Sequence, residues 1–104
     1  MDDKPTGPLI SFQAQEALRT LGRNLRTARL RRGESEQTAA ERTRVSRQTW
    51  RRLEEGAPGV AIGLLFEAMV VYGFTEQLFE LADPDLDVEG AARDAARRPR
   101  HGHG

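Results

Sequence analysis

Between Ser11 and Pro84, residues that start or stop helices recur too often for anything but a set of short packed helices. Ser11, Ser35, Ser46 and Thr75 can each cap a helix by accepting a backbone N–H of the first turn. Gly33, Gly56 and Gly73 each follow a run of helix formers and mark its end. The punctuation predicts a first helix from Ser11 to about Arg32 and a second from Ser35 to about Thr43. A turn at Arg44–Val45 leads to a third, capped by Ser46 and ended by Gly56. Ala57–Val60 is a loop holding Pro58 and Gly59. A fourth helix spans about Ile62–Tyr72, and a fifth runs from its Thr75 cap to about Ala82, where Asp83–Pro84 stops it.

The apolar pattern says which faces turn inward. Leu18, Leu21, Leu25 and Ala28 recur at spacings of three and four and make one stripe. Arg19, Arg23 and Arg26 lie off it and read as solvated. Ala39 and Ala40 face inward from the second helix. Val45 and Trp50 occupy the two positions of a hydrophobic staple, and Phe74 and Phe79 repeat that spacing. The fourth helix is apolar nearly all round and is expected to be the most buried. No strand pattern competes. The predicted fold is therefore all-α, a compact five-helix bundle. Its expected core is Leu21, Leu25, Val45, Trp50, Leu53, Ile62, Leu65, Phe66, Met69 and Leu78. The folded domain is expected over residues 11–84. Residues 1–10, broken by Pro5, Gly7 and Pro8, are expected to be disordered, and residues 85–104 to form a flexible tail.

At 104 residues, one domain is expected, and dimerisation would add to a thin core. With no cysteine there is no disulfide, thiolate metal site or cysteine nucleophile. The folded part lacks histidine, a Gly-rich phosphate loop and a carboxylate pair in a cleft, so no enzyme and no cofactor are expected. His101 and His103 have no third ligand, and no metal is expected there. The longest apolar run, Gly63–Tyr72, is shorter than the ~20 residues of a membrane span and contains Glu67. No secretory signal is recognisable, so a soluble, cytoplasmic protein is expected. The net charge of zero hides a segregation. Glu16–Gly56 carries eleven Arg against six Glu, whereas Ala57–Gly90 carries seven acidic residues and no basic one. Such asymmetry suggests a polyanion on one side and a protein on the other.

The third helix carries the chemistry. At 100° per residue, Trp50 and Leu53 share one side with Glu54 close by, while Gln48, Arg51 and Arg52 lie on the other. Arg47 projects from the N-terminal end. Arginine pairs bidentately with guanine and glutamine with adenine in the major groove. A second helix joined by a tight turn would hold this one across the DNA backbone.

Residues 33–56, Gly-Glu-Ser-Glu-Gln-Thr-Ala-Ala-Glu-Arg-Thr-Arg-Val-Ser-Arg-Gln-Thr-Trp-Arg-Arg-Leu-Glu-Glu-Gly, resemble the helix-turn-helix of the Xre/Cro family of regulators. The resemblance rests on Ala40, Val45-Ser46, Thr49, Trp50 and Leu53-Glu54-x-Gly56. It covers about Leu21 to Ala82 and implies a lambda-repressor-like fold. It also implies an ion pair between Arg29 and Glu54. Base contacts are expected from Arg47, Gln48 and Arg52, and phosphate contacts from Ser35, Gln37, Ser46, Thr49 and Arg51. Three positions depart from the family. Glu36 stands where a phosphate-binding Gln is usual, Ala39 replaces Leu, and Arg44 replaces a turn Gly. The segments Leu21–Gly33, Gly56–Val60, Leu78–Asp85 and Asp87–Gly90 are similar to HipB-type antitoxins. That likeness implies a homodimeric autorepressor on a palindromic double-stranded DNA operator, with a HipA-like kinase toxin as second partner. Leu64, Val71 and Phe74 are the expected dimer surface. The competing expectation is a protein-interaction module of the same fold that does not bind DNA, which Glu36 and the acidic second half favour.

Overall fold

The computed structural model describes residues 8–99. It is all-helical, with no strand among the described residues. The elements are α1 (Phe12–Arg31), α2 (Glu36–Thr43), α3 (Arg47–Glu54), α4 (Ile62–Val71), α5 (Thr75–Leu78), a 3₁₀ turn (Pro84–Leu86) and α6 (Val88–Arg97). The serine caps form as the sequence requires. Ser11, Ser35 and Ser46 accept the backbone N–H of Ala14, Thr38 and Thr49 at 3.0–3.1 Å. Each supplies an acceptor to one of the orphan donors of a helix start.

Helix α3 packs on both α1 and α2, and α4 closes the bundle against α2. The core is Leu25, Ala28, Ala39, Ala40, Trp50, Leu53, Leu64, Ala68, Met69 and Tyr72. Trp50, Ala39 and Ala40 have no exposed surface at all. Two alanines on α2 thus leave room for the one bulky indole on α3. Of the remaining expected core residues, Leu21, Val45, Leu65, Phe66 and Leu78 are half-buried.

Ile62 does not belong to the core: it is 70% exposed. It is the first residue of α4 and lies about 120° round the helix from the centre of the face formed by Leu64, Ala68 and Tyr72. Accordingly α4 is buried on one face only, and Val70 is 45% exposed. Leu64, expected at a dimer surface, is instead buried in the core, and Val71 and Phe74 are half-buried against it. Helix α5 is a single turn, and Thr75 does not cap it. The cap position is Phe74, with no side-chain bond. A single turn ends before the second staple position, so Phe79 stands at the helix terminus, 85% exposed, and no staple closes.

The tail differs most from expectation. Asp87 accepts the Gly90 N–H at 2.8 Å and starts α6, a ten-residue helix with no buried residue. Its main packing contact is the 3₁₀ turn, not the bundle. The radius of gyration, 18.9 Å, exceeds the ~13 Å of a compact chain of this size, which fits a projecting arm. Of the stretch expected to be disordered, residues 1–7 lie outside the described residues, and Pro8, Leu9 and Ile10 are exposed and non-helical. Arg100, His101 and His103 also lie outside the described residues.

Two glycines set how closely α1 meets α3. A Cβ at Gly22 would lie 2.7 Å from the Glu54 carbonyl carbon and 2.8 Å from the Leu53 carbonyl oxygen. Gly56 has φ of +78°, and a Cβ there would meet the Arg19 backbone at 2.8 Å. Gly22→Ala should therefore lower stability by up to about 2 kcal/mol. Overpacking of about 1–3 kcal/mol outweighs the helix-propensity gain of about 1 kcal/mol. Urea denaturation measures it, and an unchanged or raised midpoint would contradict the close approach.

Candidate nucleic-acid interface

The site is built on the shared edge of α2 and α3. Behind it, Glu54 gathers three donors. Arg29 donates to its carboxylate through Nε at 2.6 Å and Nη2 at 3.0 Å. Trp50 donates through Nε1 at 2.6 Å. The remaining Arg29 Nη1 donates to the Glu34 carbonyl at 2.9 Å. Both side chains of the pair are almost fully buried. The hydrogen bond to Glu54 holds the Arg29 pKa above its ordinary value, against the opposing effect of burial. A buried pair with all three guanidinium nitrogens engaged is a structural anchor. It fixes the C-terminal end of α3 and the orientation of Trp50 together.

A second network lies beside it. Tyr72 is 2% exposed and donates its hydroxyl to Glu34 at 2.7 Å. The same carboxylate receives Arg42 at 2.6 Å. The guanidinium carbons of Arg32 and Arg42 stand 5.3 and 5.5 Å from the centre of the Tyr72 ring. Arg32 also donates to the carbonyls of Ala28 and Tyr72. This cluster ties the ends of α1, α2 and α4, and nothing in the sequence reading located it. Burial first, then the bond to Glu34, push the Tyr72 hydroxyl above its ordinary pKa of 10.0. A folded-state pKa above the unfolded one means the contribution is complete below about pH 10 and is lost as pH rises further. Since the chain has one tyrosine, ultraviolet absorbance reads this group directly. It should titrate with the unfolding transition and not at 10, and a titration near 10 in the folded protein would contradict the burial.

The outer face of α3 presents Arg47, Gln48, Arg51 and Arg52, all exposed. Gln48 and Arg52 make no side-chain hydrogen bond or ion pair among the described residues. Arg47 and Arg51 are held differently: both converge on Glu36, at 3.5 and 2.9 Å. The Arg51 hydrogen bond, aided by the charges of Arg51, Arg29 and Arg47, lowers the Glu36 pKa despite partial burial. The carboxylate expected to repel phosphate thus lies between two of the cations expected to attract DNA. Arg51 is an ion-pair partner within the chain before it is a phosphate donor.

The other expected phosphate residues serve the fold as well. Ser35 and Ser46 each donate to a threonine hydroxyl, Thr38 at 3.1 Å and Thr49 at 2.9 Å. Thr49 is half-buried. Gln37 is exposed and donates to Glu41 at 3.1 Å. Arg44 occupies the turn at φ 61°, ψ 41°, the left-handed conformation a glycine adopts more readily. It directs the chain from α2 into the Ser46 cap. Gln15, which drew no attention in the sequence, donates 2.7 Å to the Gly56 carbonyl and secures the exit from α3.

No curated protein and no solved structure matches the chain. A family model described as a helix-turn-helix domain matches residues 20–82. The match runs from the middle of α1 through α5 and takes in both networks and the whole of α2 and α3. It spans more than half of the 104 residues, and the chain belongs to the helix-turn-helix domain family.

Proposed function

We propose that this protein is a sequence-specific DNA-binding transcriptional regulator whose α3 enters the major groove. The observation that carries this reading is the division of α3 itself. Trp50, Leu53 and Glu54 are locked in the interior, while Arg47, Gln48, Arg51 and Arg52 stand outward on a helix of fixed orientation. Membership of the helix-turn-helix family supports DNA as the partner. Gln48 and Arg52, free of internal partners among the described residues, read base edges together with Arg47. Ser35, Gln37, Ser46, Thr49 and Arg51 lie on the same two helices and serve the phosphates. The regulator acts as a homodimer on a palindromic operator, in the cytoplasm. Its likeness to HipB-type antitoxins supports autorepression and a HipA-like kinase toxin as protein partner.

Titration with duplex DNA at increasing salt tests the first step. Binding weakens with salt by a slope of about 0.9 per phosphate neutralised. Gln48→Ala should leave that slope unchanged and lower preference about tenfold at one base position per half-site. Selection of the parental sequence at undiminished preference would remove Gln48 as a base reader. One observation favours the second reading, a protein-interaction module: Glu36 engages two of the three cations on α3. Salt-insensitive or undetectable DNA binding is the outcome that reading requires.

A further inference from the structure

We infer that α6 is the dimerisation element of this chain, pairing antiparallel with α6 of a second copy. The inference gives a surface to the homodimer of the proposed function and rests on that part of it. Val88, Ala91, Ala92, Ala95 and Ala96 recur at helical spacing and cover an arc of about 140°. Glu89, Arg93, Asp94 and Arg97 fill the rest. Every residue of this apolar face is exposed, and Val88 is 80% exposed. Isolated helices shorter than about 12–15 residues are scarcely stable in water, and α6 has ten residues and no bundle face to lean on.

Further exposed apolar residues precede the helix in the chain. Phe79, Leu81, Leu86 and Val88 are all at least 60% exposed, four large apolar side chains within residues 79–88. Stable interfaces bury about 1,200 Å² or more in total. A helix about 15 Å long with an alanine face falls short of that alone. Phe79, Leu81 and Leu86 supply the additional apolar area.

Charge selects the occupant and its direction. Asp85, Asp87 and Glu89 stand at the N-terminal end of α6, and Arg93, Arg97 and Arg98 toward its C-terminal end. In an antiparallel pair each acidic end meets a basic end, twice over. In a parallel pair like meets like. The two-fold register that keeps the apolar face shut sets Val88 level with Ala95 of the second copy and Ala91 level with Ala92. Equivalent flanks then face each other. Glu89 and Arg93, which share a flank and pair within the helix, gain each other's counterpart across the interface. The alanines let the two backbones approach closely.

Because the chain has no cysteine, disulfide trapping reads the register without background. In the full-length protein, Val88→Cys combined with Ala95→Cys should oxidise to a covalent dimer. Either single variant should not, since its two sulfur-bearing residues would be about 10 Å apart along the axis, beyond the ~4.4–6.8 Å Cα separation of a disulfide. Cross-linking by the single variants instead would overturn the antiparallel register. Sedimentation of the unsubstituted chain should show a dimer, and Ala91→Glu with Ala95→Glu should weaken it by more than about a hundredfold. The α1–α5 melting transition should remain, because neither alanine touches the bundle. A dimer that survives these substitutions overturns the surface but leaves the homodimer. A monomer at micromolar concentration, with and without duplex DNA, overturns both.

Discussion

Glu54→Ala should lower the stability of the domain by about 3–5 kcal/mol, the cost of leaving a buried charge without its partner. Among the described residues the carboxylate is the ion-pair partner of a guanidinium that is itself 5% exposed, and it also satisfies the indole N–H of Trp50. Removing it strands both. For a domain of this size the loss corresponds to a fall in Tm of roughly 15–30 °C. Glu54→Gln should recover little. Its amide must turn a donor toward at least one of three donors, and it carries no charge. Arg29→Met should also destabilise, but the double variant Arg29→Met with Glu54→Gln should lose less than the two singles together, because no isolated charge is left buried. Thermal unfolding followed by circular dichroism checks all four proteins. A loss below about 1 kcal/mol for Glu54→Ala would mean that water reaches the pair, and the site would lose its rigid backing. Since Glu54 and Trp50 lie on α3, DNA affinity should fall with stability in this series, and it should do so for every sequence alike.

What could be read from the sequence divides by the range of the interaction. The caps at Ser11, Ser35 and Ser46 are satisfied within three residues, and the helices began where those residues stand. The inward faces of α1 and α3 followed from spacing, because each is polar on its other side. The fourth helix had no such contrast. With apolar residues all round it, periodicity could not say that Leu64 points inward and Ile62 outward; only the neighbouring helices decide that. The Tyr72 cluster joins residues 30 to 40 positions apart, a distance at which local pattern is silent. Gly22 did leave a signal, since a lone glycine inside a twenty-residue helix lowers its stability and calls for a packing reason. In the tail, Asp87 and the stripe from Val88 to Ala96 were legible as a helix, but the charge runs around them suggested a solvated segment. On α3, exposure of Arg47, Gln48, Arg51 and Arg52 was foreseen. The capture of two of them by Glu36 was not, because it depends on how α2 sits against α3.

Glu36→Gln should tighten DNA binding by roughly a hundredfold. Glu36 opens α2, where the partial positive charge of a helix N-terminus and the neighbouring α3 cations make a site suited to an anion. A DNA phosphate and the Glu36 carboxylate compete for that place. In the free protein the carboxylate holds it, with Arg51 at 2.9 Å and Arg47 at 3.5 Å. Binding DNA as proposed requires both arginines to turn from Glu36 and a phosphate to approach the carboxylate they leave behind. Breaking the exposed pairs costs little, about 0–1 kcal/mol each. The larger effect is repulsion: like charges about 4 Å apart oppose each other by about 1 kcal/mol in water and about 4 kcal/mol near a protein surface. Glutamine removes the repulsion, frees both guanidinium groups and adds an amide donor for phosphate. The salt slope should steepen by about one contact's worth, as Arg51 becomes free to neutralise a phosphate and release its counterion. Arg51→Ala in the Glu36→Gln background should then flatten the slope by about one contact, whereas in the parent it should change the slope little. Fluorescence anisotropy across a salt series, with one duplex and all four proteins, measures these effects together. Unchanged affinity and slope for Glu36→Gln would place the α2 start away from the phosphates, and the docking of α3 would have to be turned about its axis.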